Sequence, residues 1–203
     1  AAYKQALAIR PDFVEASLGL GLALGETGKF DEAMKALDTV LRLSPGHLQA
    51  RVNRGIVFLA QKRMDEAMTE WRQAALDHPT ATLPLVRMAE LLANQGAHPL
   101  AADAYAEAVK RDPDNPALIH RLAIASSKAG RTADSDAAFR RAIGLQTTFI
   151  KARLDFGVSL AQRSQFPEAI NEFETILRQQ PTNELAKRYL DEAQRRLAQN
   201  GGR

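Results

Sequence analysis

The chain has 203 residues, with 27 lysines and arginines against 24 aspartates and glutamates, and this small net charge of +3 argues against a nucleic-acid-binding surface. It has no cysteine, which excludes disulfides, thiolate metal sites and a cysteine nucleophile. The longest apolar run, from Leu18 to Gly25, is far too short to span a membrane, so no membrane insertion is expected.

The two ends of the chain differ from its middle. Residues 1–13 read as the second half of a truncated repeat, so we expect the sequence to be a fragment that lacks its native N-terminus. Residues 184–199 predict an amphipathic helix with one apolar stripe, which would cap the last repeat. Residues 200–203 are expected to form a disordered tail. The compartment is left open, with a slight preference for the cytoplasm.

Between these ends, landmark residues recur at a fixed interval. The interval is 34 residues, and it is marked by Pro11, Pro45, Pro79, Pro113 and Pro181, with Thr147 in the remaining place. Such a period is typical of proteins built from stacked structural repeats. With proline at position 32, five complete repeats are predicted at 14–47, 48–81, 82–115, 116–149 and 150–183.

Each repeat alternates small and large residues at set positions. Position 8 holds Gly21, Gly55, Ala89, Ala123 and Gly157, and position 20 holds Ala33, Ala67, Ala101, Ser135 and Ala169. Position 24 holds Leu37, Trp71, Tyr105, Phe139 and Phe173. Small residues let two antiparallel helices, A and B, approach closely, and the large residue fills the space between neighbouring pairs. Glycine at position 15, as in Gly28, suits the left-handed residue that ends helix A.

This pattern resembles the tetratricopeptide repeat family over essentially the whole chain. The resemblance implies an all-α fold, a right-handed α-solenoid of stacked antiparallel helix pairs that form one superhelical domain over residues 1–203. The large apolar residue that the family has at position 4 is missing where Ser17, Arg51 and Arg153 stand, and Arg54 occupies position 7. We expect these arginines to lay their stems over apolar neighbours with their charged heads in water, and a partner-binding patch is the less favoured alternative.

No motif predicts catalysis, a cofactor or a metal site. The glycines between Gly19 and Gly25 have the wrong spacing for a dinucleotide-binding loop and fall within helix A. The histidines lack metal-ligand spacing on one helix, and no serine lies in a nucleophile elbow. We therefore expect a protein that is not an enzyme and has no cofactor.

The sequence also predicts a partner-binding groove, lined by the first helix of each repeat. In arrays of this family, helix A lines a concave groove, and positions 5 and 9 of that helix are largely apolar here, which favours an interaction site over a solvated surface. The alternative is that helix packing partly covers this strip. The candidate partner-binding residues are Leu18, Leu22, Val52, Asn53, Ile56, Val86, Arg87, Glu90, His120, Arg121, Ile124, Lys128, Leu154, Asp155 and Val158.

The resemblance implies a non-catalytic scaffold that binds a peptide, a helix or a partner subunit in the concave groove. The alternative is a substrate-recruiting arm of a larger enzyme, such as a glycosyltransferase. RNA binding is disfavoured by the period and the low net charge. The carboxylate clamp of chaperone-binding members is broken, because Leu18, Leu22 and Leu83 replace its polar residues. Self-association is left open.

Overall fold

The computed structural model describes residues 2–201, with side chains described over residues 2–199. Throughout that range the ordered elements are twelve α-helices, without a strand. The helices are α1 (Ala2–Ile9), α2 (Val14–Glu26), α3 (Phe30–Leu43), α4 (Leu48–Ala60), α5 (Met64–Asp77), α6 (Leu83–Asn94), α7 (His98–Arg111), α8 (Pro116–Lys128), α9 (Thr132–Leu145), α10 (Ile150–Gln162), α11 (Phe166–Gln179) and α12 (Glu184–Gly201). The prediction of an all-α fold is confirmed.

The last helix is longer than the sequence pattern predicts. Helix α12 continues through residue 200 to Gly201, where the sequence analysis places a disordered tail. No helix-breaking residue precedes Gly201, so the last turn can form. The rest of the predicted tail, residues 202 and 203, lies outside the described residues, as does Ala1.

The chain forms two compact units, Ala1–Leu91 and Leu92–Arg203. In the first unit, α1 packs against α2, α2 against α3, α3 against α4, and α4 against α5. In the second unit, each helix from α7 to α12 packs against the next one along the chain. Each unit is therefore a series of helix pairs in which neighbours in sequence are neighbours in space. The prediction of a single continuous domain stays a prediction.

The turn between the two helices of a pair uses the same backbone conformation in all five repeats. Gly28, Gly96 and Gly130 have φ angles of 74°, 76° and 74°, as expected for glycine at position 15. Lys62 and Ser164 occupy the same position and also adopt left-handed conformations, with φ angles of 63° and 62°. A side chain in this region costs roughly 1–2 kcal/mol, so the packing of the two helices imposes the turn even where the residue disfavours it.

Within the pairs that have glycine at position 8, this residue lies against the large residue at position 24. A Cβ atom added to Gly21 would lie 2.8 Å from Leu37 Cγ, and one added to Gly157 would lie 2.6 Å from Phe173 Cε1. A Cβ atom on Gly55 would overlap the indole ring of Trp71. Real Cβ contacts are longer than these, so glycine is what permits the two helices to pack this closely.

Candidate functional site

In the first unit, several predicted groove residues share an exposed side of the first helices. Leu22 on α2 is 46% exposed and Ile56 on α4 is 37% exposed, whereas Leu18 and Val86 are half-buried. Arg87 Nη1 donates to Glu90 Oε2 at 3.0 Å, so these two charges largely neutralise each other. We call the set of Leu18, Leu22, Ile56, Val86, Arg87 and Glu90 the α2–α6 surface.

Two predicted groove residues of the first unit are buried, so their predicted exposure in the groove is wrong. Val52 is fully buried in a cluster with Trp71 and Leu91, and Asn53 is only 3% exposed. The side-chain oxygen Oδ1 of Asn53 accepts a hydrogen bond from Gln49 Nε2 at 3.0 Å, so it is engaged within α4 itself. Helix α4 has α2 packed on one side and residues of α6 on the other, so positions that would be open on an isolated helix are covered here.

The second unit brings together most of its predicted groove residues on α8 and α10. Arg121 and Lys128 are exposed, and the remaining members are half-buried, namely Ile124, Leu154, Asp155 and Val158. Helices α8 and α10 are in contact, as are α10 and α12, so the three exposed sides adjoin. We call the exposed sides of these three helices the α8–α12 surface.

His120 is another predicted groove residue whose predicted exposure is wrong, because it is only 4% exposed. Its Nε2 atom lies 2.8 Å from Asp155 Oδ2, and its ring packs edge-on against Phe149 with 5.1 Å between centroids. A buried polar ring needs a hydrogen-bond partner, and Asp155 supplies it. The buried His120 ring therefore holds the Asp155 carboxylate in place through this hydrogen bond and does not itself reach solvent.

The structure also places residues of α12 on the α8–α12 surface, although the sequence analysis treats this helix only as a cap. A cavity of about 250 Å³ lies between α10 and α12. It is lined by Val158, Ala161, Gln162, Phe173, Tyr189, Glu192, Ala193 and Arg196. A signal was present in the sequence, because Tyr189 and Glu192 fall at positions 6 and 9 if the 34-residue register continues past residue 183.

Charges at the mouth of this cavity are mutually paired. Arg196 Nε donates to Glu192 Oε1 at 2.6 Å, and Arg195 Nη2 lies 3.1 Å from Glu192 Oε2. The hydrogen bond from Arg196 lowers the pKa of the Glu192 carboxyl below its ordinary value. Glu192 is thus an anion at neutral pH whose charge is offset by its own helix.

The arginines at core-like positions direct their charged heads to carboxylates of the second helix, which corrects the expectation that the heads lie free in water. Arg54 Nη2 lies 2.6 Å from Glu70 Oε1, and Arg51 Nη1 lies 3.6 Å from Glu70 Oε2. Arg153 Nη1 lies 2.6 Å from Glu172 Oε2, with the two side chains only 13% and 15% exposed. A charged group removed from water needs an opposite charge, and the second helix of the same repeat provides it.

The same two positions line cavities in two of the other three repeats. Where position 4 is Arg51 or Arg153, position 23 is Glu70 or Glu172. In other repeats these two positions hold Ser17 with Ala36, Leu85 with Ala104, and Ile119 with Ala138. The first of these combinations lines a cavity of about 340 Å³ and the last lines one of about 300 Å³. The two positions therefore vary together along the chain.

Glu172→Ala is expected to destabilise the protein by about 3–5 kcal/mol, because it leaves Arg153 largely buried without its partner. The double change Arg153→Leu with Glu172→Ala, which copies the Leu85 and Ala104 combination, should be neutral or stabilising relative to the wild type. Urea unfolding followed by circular dichroism measures both variants. A double variant as unstable as the single one would show that the pair is not the cause.

Neither a metal-binding cluster nor a membrane-spanning helix is found among the described residues. Over residues 2–201, no three histidine or acidic side chains come together in a way that could hold a metal ion. None of the helices in that range combines the length and the apolar character needed to cross a membrane.

The chain is similar to known proteins both in its sequence and in its fold. A family model described as tetratricopeptide repeat matches residues 1–46, 18–82 and 85–116. The solved structure of YrrB, described as a tetratricopeptide repeat protein with an unusual peptide-binding site, has a TM-score of 0.69 at 15% identity, covering 93% of this chain and 97% of that one. PilF of Pseudomonas aeruginosa has a TM-score of 0.66 at 18% identity, covering 92% and 90%. MamA of Desulfovibrio magneticus RS-1 has a TM-score of 0.69 at 15% identity, covering 84% and 97%. At these identities the likeness bears on the fold.

Proposed function

We propose, from the premise that this chain belongs to the tetratricopeptide repeat family, that it is a non-catalytic scaffold which binds a peptide or an amphipathic helix of another protein. The binding surfaces would be the exposed sides of the first helices, namely the α2–α6 surface and the α8–α12 surface. Folds of this family present helices without assembling reactive groups, which agrees with the absence of a catalytic motif from the sequence. The peptide-binding site named for the YrrB structure makes a peptide a reasonable first ligand to test.

The observation that carries this proposal is the exposure of large apolar side chains on adjacent first helices. Leu22 and Ile56 are 46% and 37% exposed, and the half-buried Leu18 and Val86 lie on the same surface. A contiguous apolar patch on a protein surface is a common mark of an interaction site, whereas single exposed apolar residues are not. Arg87 and Glu90, the two charged members of this surface, bind each other. Affinity at this surface would therefore come from apolar contact.

Changing Leu22 and Ile56 together to aspartate should weaken peptide binding at the α2–α6 surface by at least tenfold. Burying one such side chain contributes about 1.5–3 kcal/mol, and each ~1.4 kcal/mol corresponds to tenfold in affinity. The measurement selects binding peptides from a phage-displayed library of random dodecamers and titrates them, labelled with fluorescein, by fluorescence anisotropy.

The matched control is Leu76→Asp, because Leu76 is 67% exposed on the second helix α5 and lies outside both surfaces. Circular dichroism must show that both variants keep wild-type helicity. If peptides bind the folded double variant as tightly as the wild type, and binding is equally unaffected by changes to the α8–α12 surface, the scaffold proposal in this form is wrong.

A further inference from the structure

We infer that the cavity between α10 and α12 holds one large apolar side chain of an acidic peptide ligand. Helix α12 then forms part of the binding surface and is more than a cover for the last repeat. This inference rests on the proposed function and narrows it, because it names the chemistry of the ligand and the place where it is anchored.

The size and lining of the cavity fit a single side chain. Its volume of about 250 Å³ lies below the range of roughly 300–1,000 Å³ that is usual for small-molecule sites. Phe173 and Ala193 in its wall are 0% and 1% exposed, so packing holds them in place. The rings of Phe173 and Tyr189 stack with 5.7 Å between centroids and 22° between planes. A leucine or an aromatic side chain would make apolar contact with the exposed Tyr189 ring, which Phe173 backs from inside, and with the half-buried Val158.

The charges around the cavity favour an acidic ligand. Residues three or four apart on a helix share one face. Charged residues at this distance from the apolar surface residues of α8, α10 and α12 therefore lie on the α8–α12 surface. Lys128, Lys151 and Arg188 are exposed cations on these faces, and Arg121 lies on the α8 face as well. Arg196 is also exposed, but it already pairs with Glu192.

The carboxylates on the same faces are already engaged. Asp155 Oδ2 lies 2.8 Å from His120 Nε2, and Glu192 Oε1 lies 2.6 Å from Arg196 Nε. An excess of one sign of charge on a surface steers oppositely charged ligands toward it and disfavours ligands of the same charge. The α2–α6 surface carries no such positive excess, because Arg87 is matched there by Glu90 and the same spacing adds the exposed Glu15 and Glu26 of α2. The preference for acidic ligands is therefore expected of the α8–α12 surface in particular.

The test uses the whole chain and dodecamer peptides selected on it from a random phage-displayed library. The selected peptides should be rich in aspartate and glutamate and should share one leucine, phenylalanine or tryptophan. Changing that residue of the peptide to alanine should weaken binding at least tenfold by fluorescence anisotropy. Ala161→Phe, which places a ring in the cavity from a half-buried position on α10, should weaken binding to a similar extent.

The chain offers matched controls for both parts of the inference. Ala106→Phe places the same ring in the cavity of about 300 Å³ between α7 and α9, and should leave affinity within twofold of the wild type. Lys151→Glu with Arg188→Glu should weaken binding at least tenfold at low salt and less at high salt, because salt screens exposed charges. Lys110→Glu is the charge control, since Lys110 is 75% exposed on the second helix α7.

If Ala161→Phe alters the fold by circular dichroism, Gln162→Glu replaces it, because Gln162 is exposed at the cavity mouth and its change adds a repulsive charge without added bulk. Selected peptides that are not acidic, or wild-type affinity in the folded cavity variant, would overturn the inference. In that case, loss of binding on changing Leu22 and Ile56 would still support the scaffold proposal. A library that yields no binding peptide would overturn both.

Discussion

Val52→Asp is expected to unfold the first unit. Val52 is completely buried, in a cluster with Phe58, Trp71 and Leu91. An unpaired carboxylate in such a place costs several kcal/mol, either as a buried charge or through the free energy needed to protonate it. Since native proteins are stable by only about 5–15 kcal/mol, this one change removes a large fraction of the total. Urea unfolding and far-UV circular dichroism measure the effect.

Val86→Asp is the control for this prediction, because Val86 is half-buried on α6 and its carboxylate can reach water. It should retain the wild-type helicity and lose much less stability. If Val52→Asp unfolds at the same urea concentration as the wild type, Val52 is not buried in the folded protein. A loss of binding in a Val52→Asp variant reports on folding, so this variant cannot be used to map the partner surface.

Trp71→Ala is expected to lower the free energy of unfolding by about 3–5 kcal/mol. The indole ring is 1% exposed, lies against Gly55, and donates from Nε1 to the Val52 carbonyl oxygen at 3.0 Å. Removing it opens a cavity between α4 and α5 that Gly55, which has no side chain, cannot fill. Trp71→Phe should cost less, because it keeps most of the apolar contact and loses the hydrogen bond.

Leu76→Ala is the matched control for Trp71, since both residues lie on α5 but Leu76 is 67% exposed. Its effect should fall within about 0.5 kcal/mol, as is usual for surface positions. Thermal and urea unfolding measure the three variants together. Equal losses for Trp71→Ala and Leu76→Ala would mean that α5 presents a different face to α4 from the one described.

The sequence predicted the helices and the packing within each pair accurately. The second helices begin at Phe30, Met64, His98, Thr132 and Phe166, each 34 residues after the one before, which is the interval between the prolines. The small residues predicted to allow close approach do so, as at Gly21 and Gly157. These features repeat because each depends on residues within one repeat, and the same local contact is seen at Gly21, Gly55 and Gly157.

Prediction of the candidate site succeeded only in part. Leu22 and Ile56 are exposed as predicted, whereas Val52, Asn53 and His120 are buried. The position of a residue in its repeat says which way it points from its own helix, but not what lies there. Exposure depends on the helices that pack on either side, and those belong to other repeats with different side chains.

An all-α protein of paired helices could be predicted from the sequence alone, together with where the helices begin and where small residues face large ones. The pairing of Arg153 with Glu172, the contact of His120 with Asp155 and the cavity between α10 and α12 become visible only in the folded chain. So does the left-handed turn that Lys62 and Ser164 adopt and that glycine makes elsewhere. The physical reason is the same in each case. Helix formation and pairing follow from the spacing of residues along one segment, whereas burial, ion pairing and strain arise where separate segments meet.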